Sequence, residues 1–523
     1  MSNITIPIQN LISAGIKEKQ SKYLDPNEPK ISISTRAGKA TFVYERMRNA
    51  VDYKEEHLVR RNAIERILRR MISSGHRENI SENLIHELIH ARYLPNDTIP
   101  QRKILELEII LEKYFTLLGL VPLGDINTKN SLPSWTIGIM ATEIDEFLVP
   151  PYIMHASINA MYENMGLRMH FEDDTDETEM SKQIYIASSR TLYKNEDDTI
   201  KYHLLLLYYP NWQNADQALI KEIGSKLPNI RNMIDNDIYH PVREKLVAIL
   251  RKQTAYFSVI TDIIREDPKG SYGDMQTGNA FNKRIEKICE QNYSASRSTL
   301  GRSIRRSIIY LVITKFLVAI LLEVPIEYFV LGKFDVIPLL INLVFPPSLL
   351  AFIALSTKLP GEQNTELIIQ GINNIIYGKK EIIQIPKKRK QSFILQLIFI
   401  ISYGALFSLS FGMLIYILEY LNFSIISVLI FLFFLSLVSL FAYRIRIVGQ
   451  ELIVTPPRKG IIRSLWTFLS IPILHAGKWM STKFARINVF IFILDFIIEA
   501  PFKSFVKIIE EWMSYVHEKK DEI

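Results

Sequence analysis

"SFILQLIFIISYGALFSLSFGMLIYIL" at 392–418 and "SIISVLIFLFFLSLVSLFAY" at 424–443 decide the fold. Neither contains Asp, Glu, Lys or Arg. Each is long enough to cross a bilayer, whose hydrocarbon core takes about 20 residues of helix. Two weaker runs stand before them. "SIIYLVITKFLVAILLEVP" at 307–325 is interrupted by Lys315, and "VIPLLINLVFPPSLLAFIAL" at 336–355 carries Pro346-Pro347 in its middle. Flanking charges test the count of four. Arg297, Arg302, Arg305 and Arg306 precede the first run, and only Lys333 separates the first from the second. Lys358, Lys379, Lys380, Lys387, Lys388, Arg389 and Lys390 lie between the second and third. "EYLNF" between the last two has none, and Arg444, Arg446, Arg458, Lys459 and Arg463 follow. Basic residues therefore alternate rich, poor, rich, poor, rich, as four spans with both termini cytoplasmic require.

The composition of the 523 residues, 48% hydrophobic and 22% charged, blends a charged half ending near Arg306 with an apolar half. The net charge of +7 fits either nucleic acid or basic flanks around membrane spans. Cys289 is the only cysteine, which leaves no disulfide framework and no Cys-based zinc site. The opening "MSNITIPIQNLISAGIKEKQ" lacks a basic stretch followed by an apolar core, so no signal peptide is expected.

Spacing predicts helices throughout the charged half, over 38–75, 78–94, 100–120, 135–148, 151–165, 178–194, 213–227, 238–266 and 278–306. "KYHLLLLYYP" at 201–210 could be a strand, but without a clear strand partner it reads as helix. The expected fold class is all-α. It comprises an N-terminal extension over 1–37, a cytoplasmic helical domain over 38–306 and a four-span transmembrane domain over 307–443. A cytoplasmic loop at 356–391 interrupts the spans, and a cytoplasmic or interfacial amphipathic region covers 444–523. Within that region "PFKSFVKIIEEWMSYV" at 501–516 has apolar residues at spacings of three and four. "INVFIFILDFII" at 487–498 is too short to cross and carries Asp495, leaving an interfacial or re-entrant path open.

The chemistry-bearing motif is "HELIH", His86 to His90. Two histidines four apart on one helix face can bind one Zn²⁺, with Glu87 as general base toward the metal-bound water. The flanking sequence weakens a zinc-protease reading. Arg92 stands two after the second histidine, "ARYLPN" has no third histidine, and a gluzincin-type ligand would have to be Glu106, Glu108 or Glu112. The ordinary alternative is a solvated pair opposite the apolar stripe Leu84, Ile85, Leu88 and Ile89. His155, His170, His203, His240 and His475 show no ligand spacing. The basic cluster Arg60, Arg61, Arg66, Arg69 and Arg70 could contact RNA or lipid, but Glu55, Glu56 and Glu65 balance it as a solvated face would. Lys315 and Asn342 form a candidate membrane-depth polar site. Glu323, Glu327 and Asp335 fall near span ends, where snorkelling is the ordinary explanation.

"FVYERMRNAVDYKEEHLVRRNAIERILRR" (42–70) and "INVFIFILDFIIEAPFK" (487–503) resemble segments of an uncharacterised family of predicted multi-pass membrane proteins of small-genome bacteria. The resemblance implies the same layout of helical domain, membrane block and amphipathic tail, and a bacterial inner membrane. It implies no activity, cofactor or functional residue. The leading expectation is a non-enzymatic, membrane-anchored binding or scaffolding protein. Its partners are the bilayer and a protein of unknown identity. Nucleic acid is not expected, and a homo-oligomer stays open. No cofactor is expected, with zinc entering only under the alternative, a membrane-anchored metallopeptidase using His86, Glu87 and His90. A small oligomeric transporter is the second alternative.

Overall fold

Apolar residues three and four apart make each short helix of the charged half one-sided, and one-sided helices must bury that stripe against one another. The computed structural model describes residues 4–21, 28–33, 56–73, 79–120, 126–171, 176–330, 332, 336–355, 360–378, 382–385, 393–450, 452–454, 468, 471–476 and 478–479. The short apolar segment at 487–498 and the amphipathic helix expected over 501–516 lie outside these residues.

Helix α1 (Ile6–Ser21) buries Ile8, Leu11, Ile12 and Gly15. It falls where the sequence reading places only an extension. Then come α2 (Glu56–Ser73), α3 (Ile80–His90), α4 (Arg102–Gly119), α5 (Ile126–Leu148) and α6 (Tyr152–Gly166). After a strand β1 (Met169–Phe171) follow α7 (Glu177–Leu192), α8 (Asp197–Tyr208) and α9 (Gln217–Ile238). "KYHLLLLYYP" is thus largely helical, within α8. Helices α10 (Arg243–Leu250), α11 (Thr254–Glu266) and α12 (Pro268–Gln276) take the place of one long helix expected over 238–266 and the segment after it. Asp176, Asp216 and Asp267 start α7, α9 and α12 by accepting backbone N–H bonds from Thr178, Leu219 and Gly270.

These helices bury two cores. The first joins α2, α3, α4, α5, α8 and α9 through residues such as Ile64, Leu88, Tyr114, Met140, Leu204 and Ile223. The second joins α1, α6, α10 and α11 through Leu11, Met161, Leu250 and Phe257. Helix α7 straddles both, with Ile186 in the first and Ile184 and Ala187 in the second.

Helix α13 (Asn279–Val318) begins in the second core with Phe281, Ile285 and Ile288 and continues through two π-helical turns, Ala319–Glu323 and Ile326–Val330. Pro325 stands between those turns. Its missing N–H and its clash with the preceding turn explain why the helix widens there rather than staying regular. The remaining apolar helices are α14 (Val336–Leu355), α16 (Phe393–Tyr420) and α17 (Ile425–Gln450). The α13 continuation, α14 and α16 are long and apolar enough to cross a membrane, and α17 holds a shorter apolar stretch, Ile425–Ser439. Helices α13, α14 and α17 close over Leu311, Leu350, Phe434 and Val438. Helix α16 packs on α17 and leaves Phe393, Phe399 and Tyr416 outside the protein, as a lipid-facing helix does.

Much of the stretch expected as a loop at 356–391 is structured. Helix α15 (Glu362–Ile376) packs Ile368, Ile372, Ile375 and Ile376 into the second core, and β2 (Ile383–Ile385) pairs in parallel with β1. Among the described residues the fold is therefore predominantly helical, with one two-stranded ribbon that the sequence reading lacks. Asn364 holds residues beyond α17: its Nδ2 donates to the Leu452 carbonyl at 2.7 Å, and its Oδ1 accepts from Val454 N at 3.0 Å. The link after α14 and the segment after α17 thus meet on the helical domain, at one end of the apolar bundle.

Gly371 lets α15 lie flat on α11, because a Cβ there would run into the Tyr256 ring. Gly371→Leu is expected to cost about 1–3 kcal/mol by overpacking. Gly404→Leu on α16, where a Cβ meets nothing within 4 Å, should leave the unfolding temperature in detergent unchanged.

Candidate functional site

Hydrocarbon offers no water to a charge, so ionisable groups in an apolar bundle must satisfy each other. Lys315, Glu323 and Asn342 show no exposed surface at all, and Glu327 is buried with them. At about 1.5 Å per residue, Lys315 lies about 14 Å beyond Arg306 along α13. Its ammonium donates to Asn342 Oδ1 at 2.7 Å, faces Glu323 Oε2 at 3.6 Å and sits 4.6 Å from the centre of the Phe434 ring. Asn342 Nδ2 in turn donates to Glu323 Oε1. Ser427, at the start of α17, places its hydroxyl 3.0 Å from Glu323 Oε1 and 2.5 Å from Glu327 Oε1, and Ser424 Oγ reaches Glu327 at 3.3 Å.

Three helices build this cluster. The π turns of α13 carry both glutamates: Glu323 meets Asn342 of α14 and Ser427 of α17, and Glu327 meets Ser427. Sequence reading singles out Lys315 and Asn342, and the structure brings them together. It attributes Glu323 and Glu327 to snorkelling at span ends, whereas here they turn inward. It passes over Ser424 and Ser427, because serine inside an apolar run carries no signal of its own.

The HELIH residues have other neighbours. Glu87 forms an ion pair with Arg70 of α2. His86 Nε2 stands 3.9 Å from Glu82 Oε1 on the same helix, and Glu106 pairs with Arg102 and Lys103 within α4. Among the described residues no third ligand-type side chain joins His86 and His90 within metal-holding distance. The basic cluster is likewise engaged inside the fold. Arg60 binds Asp145 at 2.5 Å, Arg69 binds Glu65, and buried Arg61 ties Glu65 to Asp198 and the Gly138 carbonyl.

A second polar cluster stands at the seam of the two cores. Glu146 ends α5, His155 sits in the first turn of α6, and His203 lies midway along α8. His203 Nε2 and His155 Nε2 approach the same Glu146 Oε1, at 2.7 Å and 3.1 Å, and Tyr185 Oη lies 3.2 Å from His203 Nδ1. Burial alone would raise the Glu146 pKa, but the imidazoles outweigh it and hold the carboxyl below its ordinary range. Burial lowers the His155 pKa, and the Glu146 hydrogen bond and charge reverse this to a net rise. The three residues are far apart in sequence and carry no motif, so spacing could not find them.

No family model, curated protein or solved structure matches the chain.

Asn342 is the joint of the bundle cluster. Asn342→Leu strands a buried ammonium and a buried carboxylate and is expected to cost about 3 kcal/mol. Lys315→Met combined with Glu323→Gln should cost less than the two single changes added together. Unfolding in mixed detergent micelles measures both.

Proposed function

We propose that the chain is a multi-pass membrane protein of four spans that binds protons and conducts them across the bilayer through the Lys315–Glu323–Glu327 cluster, without a co-transported substrate. The observation that carries this is a fully buried set of one ammonium and two carboxyls inside an apolar bundle, where such groups serve ion pathways and proton relays.

Hydrogen counting supports a bound proton. Ser427 Oγ lies within bonding distance of both carboxyls but owns one hydrogen, so it donates to one of them. The second contact becomes a hydrogen bond when a carboxyl supplies the hydrogen. Glu323 faces Lys315, whereas among the described residues Glu327 meets the hydroxyls of Ser424 and Ser427 and no ion-pair partner. Glu327 is then the acid that holds the proton, and Ser427 relays it to Glu323.

The four-span topology draws on two independent features. Basic residues alternate along the chain as it requires, and the segments after α14 and after α17 both return to the helical domain through Asn364 and α15. The same charge rule puts the domain and both termini in the cytoplasm, and the sequence resemblance suggests a bacterial inner membrane. Three helices around one site leave little room for a pathway, which favours an oligomer over a lone chain.

Proton flux tests the reading. Full-length protein in phosphatidylethanolamine/phosphatidylglycerol vesicles with a trapped pH dye should acidify the lumen under an imposed potential. Glu327→Gln and Lys315→Met vesicles should fall to the leak of protein-free vesicles. Wild-type protein that only matches that leak would overturn transport and leave an anchored binding protein.

A further inference from the structure

The Glu146, His155 and His203 cluster stands apart from the membrane cluster and rests on none of the reasoning about protons. We propose that these three residues bind a divalent transition-metal ion of the zinc class, which staples the two cores of the helical domain together.

The donor set comes first. Two imidazoles and one carboxylate suit zinc and its neighbours, whereas calcium takes six to eight oxygens, as an order-of-magnitude rule, and magnesium prefers water and carboxylate. Geometry comes second. One ligand atom from each residue lies within 4.8 Å of the other two, and two of the separations are 2.7 Å and 3.1 Å. Bonds of about 2.0–2.2 Å in a tetrahedron hold ligand atoms roughly 3.3 Å apart. Small rotations about the side-chain bonds therefore open the cluster enough for an ion.

The surroundings add two further features. Tyr185 Oη can accept the hydrogen on His203 Nδ1, which leaves Nε2 with its lone pair toward Glu146 and the ion. His155 is 37% exposed and lines a groove of about 350 Å³ between α1 and α6, where Lys17, Asn159 and Glu163 also stand. Solvent thus reaches one edge of the triad, giving an entry path and a water for a fourth position.

The consequence is mechanical. Glu146 and His203 belong to helices of the first core, and His155 to a helix of the second. Without an ion the same atoms make two hydrogen bonds to one oxygen, a weaker tie across the same seam.

Zinc titration of the full chain, purified in detergent and stripped with EDTA, decides the matter with a chelating dye as competitor. The expected result is one zinc per chain and a higher unfolding temperature on binding. His155→Gln, at the exposed edge and with its fold checked by circular dichroism, should abolish both. Tyr185→Phe should weaken binding by roughly tenfold, and His90→Ala should leave it unchanged. Wild-type protein without saturable zinc binding would overturn the proposal. So would binding that survives His155→Gln, or binding that is lost in His90→Ala, which would move the ion to the HELIH helix.

Discussion

The apolar bundle depends on one constraint: Lys315 cannot enter hydrocarbon unless an anion and an amide come with it. Its position in the last turn of α13 brings Asn342 of α14 to its nitrogen and Glu323 of the π-helical continuation to its charge. Those contacts then set how α14 and α17 approach. Leu311, Leu350, Phe434 and Val438 pack around them, but dispersion between apolar helices is nearly matched by lipid and selects no register by itself. The polar groups select it. Replacing Asn342 by any apolar residue removes the one side chain that bridges donor and acceptor.

Much of the molecule follows from periodicity. The stripe on α3 is plain at spacings of three and four, and the runs that become α16 and α17 announce themselves by length and absence of charge. Structure departs from that reading where local sequence says little about its partners. Ile368, Ile372, Ile375 and Ile376 have helical spacing, yet the basic residues around them suggest a solvated loop. Only the second core explains their burial. Strands of three residues such as β1 and β2 are too short to display an alternation at all.

The sites divide in the same way. HELIH is correct as helix geometry, but Arg70 arrives from another helix and engages the glutamate, which no local motif can forecast. Glu146, His155 and His203 have the opposite history. They carry no spelling, and tertiary packing alone assembles them. Pro325 is the one readable hint of the π turns, since a proline inside an apolar run must disturb the helix that contains it. What it could not tell is that the disturbance would turn Glu323 and Glu327 inward.

Helix α13 is one unbroken element from Phe281 in the domain core to Lys315 in the apolar bundle. Its 40 residues make a rod about 60 Å long. A continuous rod of this length transmits a tilt at one end as a displacement at the other. A tilt of about 5° at the charged end would displace the domain end by roughly 5 Å, given that length. A small rearrangement among the buried polar side chains would then be read out as a displacement in the helical domain, with no loop or hinge between Phe281 and Lys315 to absorb it.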